Sequence, residues 1–188
     1  MTEKTEIYIQ PTPNPNALKF TLNKDVKTEG KVSFKTPIES QDIPLAAALF
    51  DLRGVDQIHF FQNVITVSKF SFEDWENLEP AIQTCIENFI DDHDPNFKVH
   101  DPEADRRAAL SPEQRHIEEI LDRKIRPGLQ GDGGDMVVQD FKDNVLIVKY
   151  QGACGTCPSS TTGTLEAIRS ILRDEVNPDI EVYLAPEV

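Results

Sequence analysis

The chain is poor in cysteine, poor in positive charge and without a long apolar run. Three cysteines among 188 residues are too few, and oddly numbered, for a disulfide framework, which points to a reducing, cytoplasmic setting. Lys and Arg number 19 against 33 Asp and Glu, a formal net charge of −14. Binding a phosphate backbone needs a basic face, so nucleic acid is excluded as a partner. No stretch approaches the ~18–20 apolar residues of a membrane span, and no membrane partner is expected. The opening MTEKTEIYIQ has neither the apolar centre of a secretory signal nor an Arg-rich amphipathic stretch. Internal repeats and low-complexity tracts are missing. The 38% of hydrophobic and 28% of charged residues exclude global disorder and suffice for a core. At ~100–150 residues per domain, the length suits one large or two small domains.

An acidic stretch divides the chain. Residues 91–110 hold six acids, three bases and two prolines, which reads as a linker, with Phe97 and Val99 able to add a short strand. The expected division is therefore 1–90, an acidic linker at 91–110, and 111–188. In the first part an extended run at Glu6–Gln10 meets Pro11, Pro13 and Pro15, which force a turn or a rigid loop. Leu18, Phe20 and Leu22 alternate as in a half-buried strand. Leu45–Leu52 reads as a helix stopped by Gly54, and Val55–Phe61 with Val64–Phe70 as a hairpin. Ser71 and Asp74 form an expected capping pair for a long helix whose apolar stripe is Trp75, Leu78, Ile82, Cys85 and Phe89.

In the second part Ser111, Pro112 and Gln114 spell an N-cap, a first helical proline and a capping box. Pro127-Gly128 should end that helix. The turn Gly131–Asp135 then leads to strand Met136–Phe141, and Lys142-Asp143-Asn144 returns the chain along Val145–Tyr150. A helix from Ser160 to Val176 and a strand containing Ile180, Val182 and Leu184 complete the order α-β-β-α-β. The fold class expected is α+β, with two small domains.

Cys154 and Cys157 are expected between a strand's carboxyl end and a helix start, where unpaired amides favour a thiolate. Such a pair can be redox-active, iron-binding or zinc-binding. A closed zinc site or an iron–sulfur cluster normally takes four ligands, and this chain has two thiols in one place. Cys85 lies on the apolar stripe and reads as core. His59, His93, His100 and His116 have no ligand spacing to the pair, and His93 and His100 are expected to be solvated. If four thiolates are required, two chains must contribute two each. Asp132 and Asp135 lack the spacing of a calcium loop and read as turn residues.

Three blocks carry a family resemblance. Arg126-Pro127-Gly128-Leu129, Asp132-Gly133-Gly134-Asp135 and Gly152-Ala153-Cys154-Gly155-Thr156-Cys157-Pro158-Ser159-Ser160 resemble the C-terminal NifU-like domain of Nfu iron–sulfur cluster scaffolds and carriers. Gln10-Pro11-Thr12-Pro13-Asn14-Pro15-Asn16-Ala17-Leu18-Lys19-Phe20 is similar to the opening of the Nfu N-terminal domain. The resemblance covers both halves, outside the linker. It implies a non-enzymatic protein whose Cys154 and Cys157 hold a cluster, commonly 4Fe–4S though 2Fe–2S also suits four thiolates, bridged between two protomers. It further implies upstream assembly proteins as donors, apo iron–sulfur proteins as recipients, and a homodimer when loaded. A match beginning at residue 10 leads to a bacterial cytoplasmic protein rather than one of the mitochondrial matrix. The alternatives are a thiol–disulfide oxidoreductase and a zinc-stabilised dimeric interaction module. The first is disfavoured by too few elements for a thioredoxin fold and by the lack of an aromatic residue before Cys154.

Overall fold

Alternation of apolar and polar side chains builds the first sheet. In a computed structural model that describes residues 4–100, 102–155 and 160–186, the chain forms two compact units, 1–99 and 100–188. Unit 1 holds strands β1 (Ile7–Pro11), β2 (Ala17–Leu22), β3 (Lys27–Phe34), β4 (Val55–Gln62) and β5 (Val64–Lys69). They form one antiparallel sheet in the order β1-β2-β5-β4-β3. Two helices, α1 (Pro44–Phe50) and α2 (Trp75–Phe89), add Leu45, Leu49, Leu78, Ile82 and Ile86 to a core with Phe20, Ile58, Phe60, Ile65 and Val67.

Strand β3 has no counterpart in the sequence reading. Its pairing with β4 shifts register between Lys27 and Lys31, and Gly30 adopts φ 69°, so no period of two runs through it. The expected capping pair of α2 does not form: Asp74 is the N-cap and its side chain makes no capping bond. Trp75 is instead fixed by the proline loop, its Nε1 donating to the Pro15 carbonyl at 3.0 Å while the Lys69 ammonium lies 5.6 Å from its ring centroid. At the far end of the stripe Phe89 is exposed, and Ile86 and Ile90 fill the core.

The stretch expected as a linker carries structure. Ile90–Asp92 is a 3-10 turn, and Asp91 pairs with Lys24. The Thr28 amide donates to the Pro95 carbonyl, and Phe97 packs on the first core without joining a strand. His93 is half-buried rather than solvated, donating from Nε2 to the Val26 carbonyl at 2.8 Å. Burial lowers its proton affinity, against the pull of that carbonyl and of Asp94. A further helix, α3 (Pro102–Ala108), lies in unit 2.

The remainder of unit 2 is α4 (Pro112–Lys124), α5 (Arg126–Gly131), β6 (Gly134–Lys142), β7 (Val145–Gly152), α6 (Ser160–Glu175) and β8 (Glu181–Leu184). The capping box forms in full: Ser111 Oγ accepts from the Gln114 amide, and Gln114 Oε1 accepts from the Ser111 amide. Pro127-Gly128 does not end the helical stretch but sits in the first turn of α5, where a proline loses no hydrogen bond. Asp143 and Asn144, at φ 52° and 63°, make the two-residue hairpin turn between β6 and β7. β8 runs parallel to β7, reached through α6. Ile117, Leu121, Val148, Ile168, Leu172 and Val182 form the core of this unit.

Candidate functional site around Cys154

The turn at Asp143-Asn144 sets the register of β6 and β7, and one irregularity between Val138 and Asp140 brings Gly134 opposite Gly152. The two glycine-containing blocks thus meet at one end of the hairpin. Gly133 and Gly152 have φ of 78° and 60°, the left-handed region that a side chain disfavours. The Ala153 amide donates to the Gly133 carbonyl at 3.2 Å, and the Gly155 amide to that of Gly152 at 3.0 Å. Cys154, held between these bonds, is 6% exposed. At Gly134 a Cβ would lie 2.8 Å from the Cys154 amide nitrogen and 2.9 Å from its Cβ, and would overlap its Sγ. Gly134, expected in the glycine-rich turn, therefore begins β6 and sets how closely the strand approaches the thiol.

Cys154 lies two residues past β7 and six before α6, whose first residue is Ser160. Cys157, the second expected ligand, lies outside the described residues. The Tyr150 side chain belongs to the same core cluster as Cys154. Burial pushes the phenol up to about 12, opposed by a hydrogen bond with Thr164 and aided to a smaller extent by the neighbouring Cys154.

The Asp132–Asp135 turn is held from behind by a buried arginine, which also explains the Arg126-Pro127-Gly128-Leu129 block. Arg126 donates from Nε to the Met136 carbonyl at 3.2 Å and from Nη2 to Glu118 at 2.7 Å, pairs with Asp122, and lies 3.7 Å from Asp135. Asp135, fully buried, accepts from Gln130 at 2.9 Å and from the Met136 amide at 2.6 Å; expected in the turn, it lies in β6 instead, opposite Gln151. Arg106 and Arg107 on α3 also pair with Glu118. Burial would raise the Glu118 carboxyl, but the three guanidinium groups outweigh it and hold it below its usual range.

The other expected candidates lie elsewhere. Cys85 is buried in α2, and its thiol is pushed up to about 11 by burial and by Asp51. His59 accepts or donates at Nδ1 with Ser33 Oγ at 2.7 Å on the first sheet, while His100 and His116 are exposed beside Asp105 and Glu119. Among the described residues no three His, Cys, Asp or Glu side chains are placed to hold a metal ion.

Residues 7–93 match the family described as "Scaffold protein Nfu/NifU N terminal", and residues 117–183 match "NifU-like domain". The human protein named "NFU1 iron-sulfur cluster scaffold homolog, mitochondrial" is 36% identical over 183 residues, covering 93% of this chain and 69% of the human one. The chain belongs to the Nfu family. A Drosophila sechellia Nfu protein of the same name is 33% identical over 178 residues, covering 93% of this chain and 62% of its own. The chain thus spans about two thirds of the length of these relatives. The solution structure of a NifU-like protein from Saccharomyces cerevisiae aligns with 53% of this chain and 91% of its own, at 21% identity and a TM-score of 0.47. The mitochondrial names run against the bacterial cytoplasmic expectation. No helix among the described residues is long and apolar enough to cross a membrane.

Proposed function

We propose that this Nfu protein is a non-enzymatic scaffold and carrier that accepts an iron–sulfur cluster as cargo on Cys154 and Cys157. Two protomers supply four thiolates between them, and the cluster is commonly 4Fe–4S. Transfer is ligand exchange: each protomer thiolate bound to iron is displaced by a thiolate of an apo-protein, with no change in cluster charge. The observation that carries this reading is the meeting of the two glycine-containing blocks at Cys154, in a unit that matches the NifU-like domain. A cysteine on a short connection, backed by glycines, can be approached by a cargo wider than a side chain. Thiolates are the usual ligands of such clusters, and two per chain leave a site that is complete only across a pair. The upstream donors, the apo-protein recipients and the loaded homodimer belong to this proposal. So does the compartment: the relatives' names place those proteins in mitochondria, and a mitochondrial matrix keeps thiols reduced as the cytoplasm does.

The test is purification without oxygen, followed by assay of iron, sulfide and zinc. A brown protein absorbing near ~400 nm, with iron and sulfide in equal amounts, supports the reading. Colourless protein containing zinc alone would make it a zinc-stabilised module. Colourless, metal-free protein with a reversible Cys154–Cys157 disulfide would make it an oxidoreductase.

A further inference from the structure

Unit 1 carries an aromatic pair that its core does not use. Phe70 and Phe72 lie on the short connection from β5 to α2 and are 41% and 78% exposed. Their rings stack, with centroids 5.5 Å apart and planes within 4° of parallel. The connection itself is a fixed turn. The Phe70 amide donates to the Gly54 carbonyl at 3.0 Å, and the Glu73 amide donates to the Phe70 carbonyl at 3.1 Å. A single exposed apolar side chain is ordinary, but two held together beside a groove make a patch. Phe72 is one wall of that groove, and Leu52, Leu78 and Ala81 line it, in a volume of about 230 Å³. This is below the ~300–1,000 Å³ of small-molecule sites and suits one large apolar side chain. Glu73 and Asp74 also line the groove. The two segments that build it, 51–54 and 70–81, hold five acids and one base, Arg53, whose guanidinium lies 3.9 Å from the Glu73 carboxylate.

We infer that this groove docks a basic segment of a partner protein, one large apolar side chain entering beside Phe72 while lysines or arginines pair with Glu73 and Asp74. Charge selects the occupant. An acidic rim repels an anionic lipid surface as it repels nucleic acid. A second copy of this chain brings 33 acids against 19 bases and is repelled in the same way. Stacking and the turn hold the two rings in place before binding, so little side-chain freedom is lost on docking. The acids add rate and selectivity, and they make binding sensitive to salt. The inference concerns unit 1 alone and goes beyond the role proposed for Cys154 and Cys157, standing or falling independently of it.

The test titrates the full chain, without iron, with a short labelled peptide of lysine and serine around one central leucine. Control peptides carry glutamate in place of lysine, or alanine in place of leucine. Affinity is read by fluorescence anisotropy, and the site by amide chemical shifts. The expected result is binding of the lysine–leucine peptide with shifts gathered in 51–54 and 70–81, weakened by salt and lost with either control. Phe72→Ser should bind about tenfold more weakly at an unchanged melting temperature, since the ring is mostly exposed. Asp74→Asn should bind about twofold more weakly at low salt. Phe89→Ser, at the other end of α2, should bind as the wild type does. No binding of the lysine–leucine peptide, equal binding of the glutamate peptide, shifts centred elsewhere, or affinity untouched by Phe72→Ser would each overturn the inference. Concentration-dependent dimerisation abolished by Phe72→Ser would give the groove to a second copy and equally overturn it.

Discussion

Cys85 and Cys154 are buried to nearly the same degree, at 8% and 6% exposure, and their surroundings could hardly differ more. Cys85 sits within a helix, among Leu78, Ile82 and Ile86, and burial with Asp51 nearby pushes its thiol up to about 11. It is a small apolar side chain that happens to contain sulfur. Cys154 sits on a connection, between amides that donate to glycine carbonyls, with Gly134 in place of a side chain at its back. Burial therefore does not separate a core cysteine from one proposed as a ligand. The distinction lies in whether the backbone around the sulfur is regular and packed, or built from residues that leave space for something else.

The comparison breaks most sharply on substitution of the cysteines. Cys154→Ser or Cys157→Ser should abolish iron uptake, whereas Cys85→Ala should keep full iron content and lose about 1 kcal/mol of stability. Iron analysis with thermal melts checks both; a Cys85→Ala protein that folds without binding iron would reverse the assignment. Glycines give the next effect. Gly134→Ala forces a Cβ against the Cys154 amide and should cost about 1–3 kcal/mol together with most cluster loading. Gly163→Ala, in a helix with open space around it, should raise stability by about 0.5–1 kcal/mol and leave loading unchanged. Denaturant titration and iron content of the two variants test this.

The boundary of unit 2 gives a smaller effect. A fragment of residues 100–188 retains Arg106 and Arg107 against Glu118, and a fragment of residues 111–188 does not. The shorter one should be less stable by about 1–2 kcal/mol, the scale of a few hydrogen bonds to charged groups. Its melting temperature measures the difference. The same carboxylate predicts a pH dependence. Glu118 and Asp122 are both held below their usual values of 4.5 and 3.8, burial opposing and arginines prevailing. Their contribution is complete above those values and fades as pH falls through the lower folded ones. Acid unfolding of unit 2 should therefore begin below about pH 4.5, and Glu118→Gln should flatten that limb of the stability curve.

Much of this fold was legible because several signals agreed at each place. Ser111, Pro112 and Gln114 each supply a separate part of the start of α4, and the structure contains all three. Asp143-Asn144 fixes the β6–β7 turn, and counting outward from it carries Gly134 to the neighbourhood of Gly152. What stayed hidden were features decided by distant residues. β3 follows its neighbour despite Gly30 and a register shift, so no local period announces it. α5 forms because Arg126 is buried by Glu118, Asp122 and the Met136 carbonyl, none of which is adjacent in sequence. Segment 91–110 looks like linker by composition, and yet Asp91, His93 and Phe97 bind unit 1 while Arg106 and Arg107 bind α4. In the candidate site, the cysteines and glycines were visible as motifs. The close approach of Gly134 to Cys154 was not, since it depends on the register of two strands.

The central claim is that one chain provides half a site. Light scattering of the unloaded and reconstituted protein, read together with iron per chain, tests it most directly. The account predicts a monomer without iron and a dimer with four irons per two chains, and it predicts that Cys154→Ser removes iron and dimer together. A monomer carrying a full four-iron cluster, or a dimer that persists unchanged in Cys154→Ser, would contradict it.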